Sequence, residues 1–458
     1  MPPQIIGIAG MKYILTSGNL AFMPLKKRNV STEQCPEENV LTIRQETCIL
    51  NDVIGPFTPT HRFTEFMTSE STLTDVLSKV EGYIQPLQKL REIVLANTVM
   101  CAEIAAPTFS EEKLGSFLCD RFTESELLNI STDEMGNATA VIPGSLGKDA
   151  KNILVAAHVD NIWPSSVDHT ASVGASSISG AGVADNSLGA ATIASLPFIL
   201  QRLGIEPQHN IVLLGATQSM GRGNLAGLRF FVENATMPID SALCIEGIEL
   251  GRLSYTCLGM SRCEISLEAP EVKDWETRGH ITSIGALSRI VQKILAIPLP
   301  SEPRTSIILG SLNAGSGFNV PPTNAYLRFE IRSEVPGMVT DVREQIEEII
   351  KEANAEQRFQ ANLEILAHRR PGSVGFSHPL VKATRAIMEN LGLKPKIAPS
   401  TSELSVLLEN NIPSLTLGVT KGHHKHNVDE SIEIEPIFTG LAQIVGVLQY
   451  IDGSLNHE

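Results

Sequence analysis

Residues Asn152 to Pro164 read NILVAAHVDNIWP, an apolar run that ends in His158 and, two positions on, Asp160. Ile153 to Ala157 lack the alternation of a half-wet strand, and they are too few for a buried helix. The run therefore reads as a central strand of a sheet covered on both faces. His158 and Asp160 then stand at its carboxyl end, the edge where open α/β sheets bind ligands. A His-x-Asp there suits a metal site in which the aspartate holds the imidazole or reaches a water. Taken alone, the pair is more simply read as a satisfied histidine in a strand-end turn.

Downstream residues tip the balance. Ser176 to Ala191 is a small-residue loop running into the apolar stretch Ala190 to Leu203, and Asp185 lies where loop becomes helix. A carboxylate there caps the helix or bridges two cations. A second apolar strand, Ile211 to Ala216, leads into Thr217-Gln218-Ser219-Met220-Gly221-Arg222-Gly223-Asn224-Leu225 and a helix over Ala226 to Glu233. A third strand, Ala242 to Ile245, ends in Glu246-Gly247. Acids and an imidazole thus recur at successive strand ends.

The order of these motifs, over roughly Leu87 to Ile451, resembles the co-catalytic zinc exopeptidase and deacylase superfamily, which includes aminoacylase, glutamate carboxypeptidase, succinyl-diaminopimelate desuccinylase and peptidase T. The resemblance implies a zinc ligand at His158, a supporting Asp160, a bridging Asp185 and a first-zinc carboxylate at Glu246. A late histidine four residues before a glutamate falls on His426 in GHHKHNVDE, with Glu430 setting the spacing and His423 and His424 read as solvated loop residues. It further implies two adjacent glutamates after the second strand, one a general base and one a ligand of the second zinc. Here Ser219 and Met220 stand in those places, and sliding the comparison by one gives Gln218 and Ser219, so neither register offers a carboxylate. Loss of a general base costs about 10²–10⁴-fold in rate, roughly 3–5 kcal/mol of barrier. A thioether is a poor zinc ligand. One zinc at His158, Asp185 and Glu246 is expected, and the second site is doubtful because only Asp185 and His426 remain for it.

Residues 255–367 read as an inserted lid and dimerisation domain, with strands Cys263 to Leu267, Ser306 to Gly310 and Ala325 to Ile331 and helices Ser283 to Ala296 and Val339 to Ala353. The resemblance implies a lid histidine before Trp275, where Lys273 stands instead; His280 lies beyond the tryptophan. Gly315 to Val320 and Phe329 to Arg332 match the family pattern, which implies that Asn319 and Arg332 grip a substrate carboxylate. A turn asparagine and a strand-end salt bridge are the plain alternatives. Ser400 to Glu403 resembles the family's serine-threonine-aspartate turn. Residues 86–254 and 368–458 form the larger α/β domain, with a central mixed sheet between helices, and include helices Pro379 to Leu391 and Ile437 to Ile451.

Ahead of these domains, Leu77, Val80, Ile84, Leu87, Leu90 and Ile93 form the stripe of one amphipathic helix towards Met100. Ala106 to Glu112 breaks it, with Ser110 as the cap of another helix through Phe122. Residues 1–69 read as an extension of unclear structure, with Met67 a candidate start, and no signal-peptide series is visible. The chain has 458 residues, 42% hydrophobic, and a formal net charge of -15, which argues against nucleic acid or a membrane surface as partner. Seven cysteines without a Cys-x-x-Cys pair point to reduced thiols and a cytoplasmic setting. The implied partner is a small peptide or N-acyl amino acid, with a homodimer through the lid. Two functions follow: an amide hydrolase with weak or altered catalysis, or a non-catalytic descendant that binds a peptide or amino-acid ligand.

Overall fold

The computed structural model describes residues 4–8, 11–16, 19–23, 70–271, 281–318 and 320–457. The N-terminal unit, Met1–Thr60, contains a three-stranded antiparallel sheet of Gln4–Ile8, Met11–Thr16 and Asn19–Met23. Tyr13 to Leu15 falls in its middle strand, whereas Leu41 to Ile43, also apolar in sequence, lies outside the described residues.

In the second unit, an eight-stranded mixed sheet runs in the order Lys396–Ile397, Arg252–Ser254, Ser414–Gly418, Ser241–Glu246, Asn152–His158, Asn210–Ala216, Ala138–Ile142, Leu128–Thr132. The four strands from Ser414–Gly418 to Asn210–Ala216 are mutually parallel. Every residue of Asn152–His158 is buried, because the strand is covered on both faces. Ile153, Val155 and Ala157 enter one core, under helices Arg91–Glu103, Leu188–Leu203 and Glu435–Ser454. Leu154 and Ala156 enter the opposite core, under Ala226–Asn234 and Leu404–Glu409. Each buried Ile, Leu or Val contributes about 1.5–3 kcal/mol, which fixes the strand's position and hence its carboxyl end. The stretch Val183–Leu203 is long and apolar enough to cross a membrane, but 89% of its window is buried, as a core helix must be.

A second sheet, all antiparallel, is ordered Thr305–Ala314, Asn324–Ser333, Gly259–Glu268, Gln360–Arg369. Strict alternation in the second strand sends Ala325, Leu327, Phe329 and Ile331 into a separate core against helices Ser283–Leu295 and Met338–Ala355. Arg328, Glu330 and Arg332 consequently point to the other face. The three expected strands and the helix Met338–Ala355 extend one to four residues beyond the segments read in sequence, whereas the helix Ser283–Leu295 ends one residue before Ala296.

The amphipathic stripe before residue 100 is not one helix. Residues 70–79 are helical, Val80–Tyr83 is a 3₁₀ turn, Ile84–Gln88 a short helix, and a turn at Lys89 and Leu90 precedes Arg91–Glu103. The turn rotates the buried face by one residue, so Val94 is buried and Ile93 is exposed. Ser110 is not a cap either: its amide bonds to Pro107, and the next helix starts at Glu112.

Candidate metal centre

Register brings the first two candidate ligands together. Ala156 pairs with Cys244 in parallel strands, so His158 and Glu246, each two residues further on, end side by side at the carboxyl edge. Asp185 arrives from the turn Val183–Ser187 that precedes helix Leu188–Leu203. Two contacts hold that turn against the Glu246 strand: Asn186 donates to the Ile245 carbonyl and accepts from the Gly247 amide. The donor atoms of His158, Asp185 and Glu246 all lie within 4.8 Å of one another, and all three residues are buried. A mixed nitrogen and oxygen set of three is the chemistry of an open zinc site.

His426 reaches the same place by a route too short to read in sequence. A small antiparallel sheet pairs Ser431–Glu433 with Ser177–Ser179, closing the late loop onto the Asp185 loop. Glu430 is buried and accepts from the amides of Ala184 (3.2 Å) and His426 (3.1 Å), clasping the two loops together. Burial raises its carboxyl pKa, while these amides offset part of the rise. Nε2 of His426 lies 2.9 Å from Asp185 Oδ2. His423 and His424 instead pair with Glu433 and Asp429 on the surface.

His158 Nε2 is 3.2 Å from Asp185 Oδ1, while Nδ1 is 3.0 Å from the Asp160 carbonyl and 3.6 Å from the Asp160 carboxylate. Burial would lower the imidazole pKa, but Asp160 and Asp185 outweigh it and hold it well above the ordinary value. The same partners act in reverse on Asp185: burial opposes ionisation, and His158, His426 and Lys425 nevertheless keep its pKa well below the usual carboxylate range. Asp160 has no exposed surface and accepts from Thr108 Oγ1 (2.8 Å) and from the amides of Ser219 (3.1 Å) and Met220 (2.8 Å).

Ser219 and Met220 therefore lie against Asp160, but they present it with main-chain N–H groups. The Ser219 hydroxyl is buried and has no hydrogen-bond partner among the described residues. Lys425 is the group that sequence reasoning missed. Its ammonium sits 3.2 Å from Asp185 Oδ2, with the side chain one-third exposed at 33%. Burial would lower its pKa, and the charges of Glu246 and Asp185 raise it instead. The only sequence signal was its position next to His426.

The structure does not bring Arg332 to this cluster as a free guanidinium. It bonds Glu330 on its own strand at 2.6 and 2.9 Å, and Arg262 shares the same carboxylate at 2.6 Å. Arg332 does line a cleft of about 610 Å³ between the antiparallel sheet and the loop at Gly221 and Arg222, together with Arg262 and Arg328. Asn319, Lys273 and His280 lie outside the described residues.

Residues 277–358 match the family model described as a peptidase dimerisation domain of the M20 family. A LysW-lysine/LysW-ornithine hydrolase of Saccharolobus islandicus is 26% identical over 141 residues, which span 30% of this chain and 38% of that protein's length. Among solved structures, the aminopeptidase PepT of Bacillus cereus is similar with a TM-score of 0.62 at 15% identity, over 79% of this chain and 98% of PepT. A Bacillus subtilis protein described as a dinuclear metal binding peptidase from the M20 family gives 0.56 at 15% identity, over 80% and 98%. The family match covers residues 277–358, the curated relative is matched over little more than a third of its length, and at these identities the solved structures show the shared fold alone.

Proposed function

We propose that this chain is a member of the zinc exopeptidase superfamily, a one-metal amidohydrolase-like protein that takes a peptide or an N-acyl amino acid and hydrolyses it weakly. The observation that carries the reading is the contrast between two halves of one site. His158, Asp185 and Glu246 converge as zinc donors, whereas the Thr217 to Met220 turn offers Asp160 only amides. A zinc ion held by these three donors would supply Lewis acidity towards an amide carbonyl or a water.

The chain's own groups do the rest. The Asp160 carbonyl fixes the His158 tautomer through Nδ1, leaving Nε2 as the donor atom. Ser402 donates to Glu246 Oε1 at 3.2 Å, which orients that carboxylate. A serine hydroxyl is no proton acceptor near neutral pH, so turnover is expected to fall by about 10²–10⁴-fold against a glutamate base. Arg332, with Asn319, receives the substrate carboxylate once Glu330 yields part of its pairing. The matched dimerisation domain forms a homodimer, and the setting is cytoplasmic. The buried Ser219 hydroxyl favours the second reading, a binder without catalysis.

A screen of dipeptides and N-acyl amino acids with added zinc separates the two. Turnover that Glu246→Gln abolishes supports the hydrolase, and ligand-dependent thermal stabilisation without turnover supports the binder. Neither response to any compound would sink both.

A further inference from the structure

Asp185 uses its two oxygens differently. Oδ1 faces His158 at 3.2 Å on the side of the three converging donors. Oδ2 meets other groups, His426 Nε2 at 2.9 Å and the Lys425 ammonium at 3.2 Å. A carboxylate that bridges two cations gives one oxygen to each, and here the second oxygen already has a cation, supplied by the chain. We propose that the Lys425 ammonium is a built-in replacement for a second metal ion, so that the site is fixed at one metal by an internal cation and not merely by the loss of a ligand.

Charge and packing both support the assignment. A divalent cation together with one carboxylate ligand carries a net single positive charge, the same as one ammonium. Met220, whose amide is bound to Asp160, carries an uncharged thioether at the sequence position where the resemblance implies such a carboxylate, and Lys425 restores the balance. Asp185 is only 5% exposed, so its charge requires a compensating partner at close range. Lys425 is delivered by a clasped loop: Glu430 accepts from the neighbouring His426 amide and from Ala184, which precedes Asp185. The other carboxylates whose charges act on the ammonium, Glu246 and Glu249, also face Arg252, at 4.0 and 3.3 Å.

The inference rests on the one-metal reading above, and the test keeps the two apart. Zinc stoichiometry and affinity are measured by calorimetry and elemental analysis on the full chain, for wild type, Lys425→Met, Met220→Glu and the double variant, with folding checked by circular dichroism. Wild type is expected to bind one zinc. Lys425→Met alone should still bind one, about tenfold tighter or more because a neighbouring positive charge is gone. Met220→Glu alone should also bind one, since Lys425 pairs with the new carboxylate. The double variant should bind two. Two zinc ions in Met220→Glu alone, or one in a folded double variant, would overturn the inference while leaving the one-metal reading standing. No zinc in wild type removes the one-metal reading and the inference with it. If the double variant does not fold, Lys425→Met decides alone: unchanged affinity counts against the inference.

Discussion

Replacing Asp160 by asparagine separates two jobs that a supporting aspartate can do. Its Oδ2 accepts from Thr108 and Met220, its Oδ1 from Ser219, and the side chain is fully buried. An asparagine keeps the shape but has one acceptor oxygen. In either orientation its NH₂ faces at least one main-chain N–H, so a donor meets a donor. The loss is one or two charge-assisted hydrogen bonds, each worth about 1.5–3 kcal/mol, and one buried amide left unpaired. Together these amount to roughly 3–5 kcal/mol of stability, at the high end for a single substitution. The effect on metal affinity should be smaller, because His158 Nδ1 lies closer to the Asp160 carbonyl, which the substitution retains, than to the carboxylate. Zinc affinity should fall by about tenfold, the low end for loss of a group supporting a metal ligand. Chemical denaturation and zinc titration on the same preparation measure both. A hundredfold loss of zinc affinity with unchanged stability would show that the carboxylate, not the carbonyl, holds the imidazole, and would refute this reasoning.

Three further outcomes follow from particular contacts. A Cβ on Gly189 would lie 2.2 Å from Asn186 Oδ1, so Gly189→Ala should push Asn186 off Ile245 and Gly247, destabilise by more than about 1 kcal/mol and weaken zinc binding, as read by thermal melts and zinc titration. Burial would raise the Glu330 pKa, but Arg262 and Arg332 outweigh it and hold it below the usual carboxylate range. Its stabilisation is therefore complete above the unfolded carboxylate value and is lost as pH falls through the lower folded value. Glu330→Gln should flatten that acid limb of a stability against pH curve, and an unchanged limb would count against the ion pair. Glu430→Gln should loosen the clasp between the Ala184 and His426 amides, visible as faster hydrogen exchange at both loops, and equal exchange in the two proteins would contradict the clasp.

Much of the fold was legible because its central elements repeat one simple pattern. Ile153 to Ala157 form a continuous apolar run, which only a strand with two covered faces tolerates, and the alternation from Ala325 to Ile331 equally admits one covered face. The helix break at Lys89 was not legible, since Leu87 and Leu90 keep their helical spacing through the turn and only tertiary packing shows that Ile93 is exposed. At the site, His158 and Glu246 stood out as polar residues closing apolar runs, and Asp185 as an acid where a small-residue loop becomes a helix. Lys425 did not: a lysine in GHHKHN reads as solvated, and only the pairing of Ser431–Glu433 with Ser177–Ser179 aims it at Asp185. Arg332 is a different case. Its substrate role was implied by a motif with a strand-end salt bridge as the alternative, and the structure pairs it with Glu330 two residues earlier on the same strand face.

The central claim is that His158, Asp185 and Glu246 hold a single metal ion. The most direct measurement is zinc titration of chelator-treated protein against His158→Ala, with stoichiometry read by elemental analysis after dialysis. One zinc per wild-type chain and none in the variant is the expected result. A wild-type chain that retains no zinc, or a variant that retains as much as wild type, would contradict it.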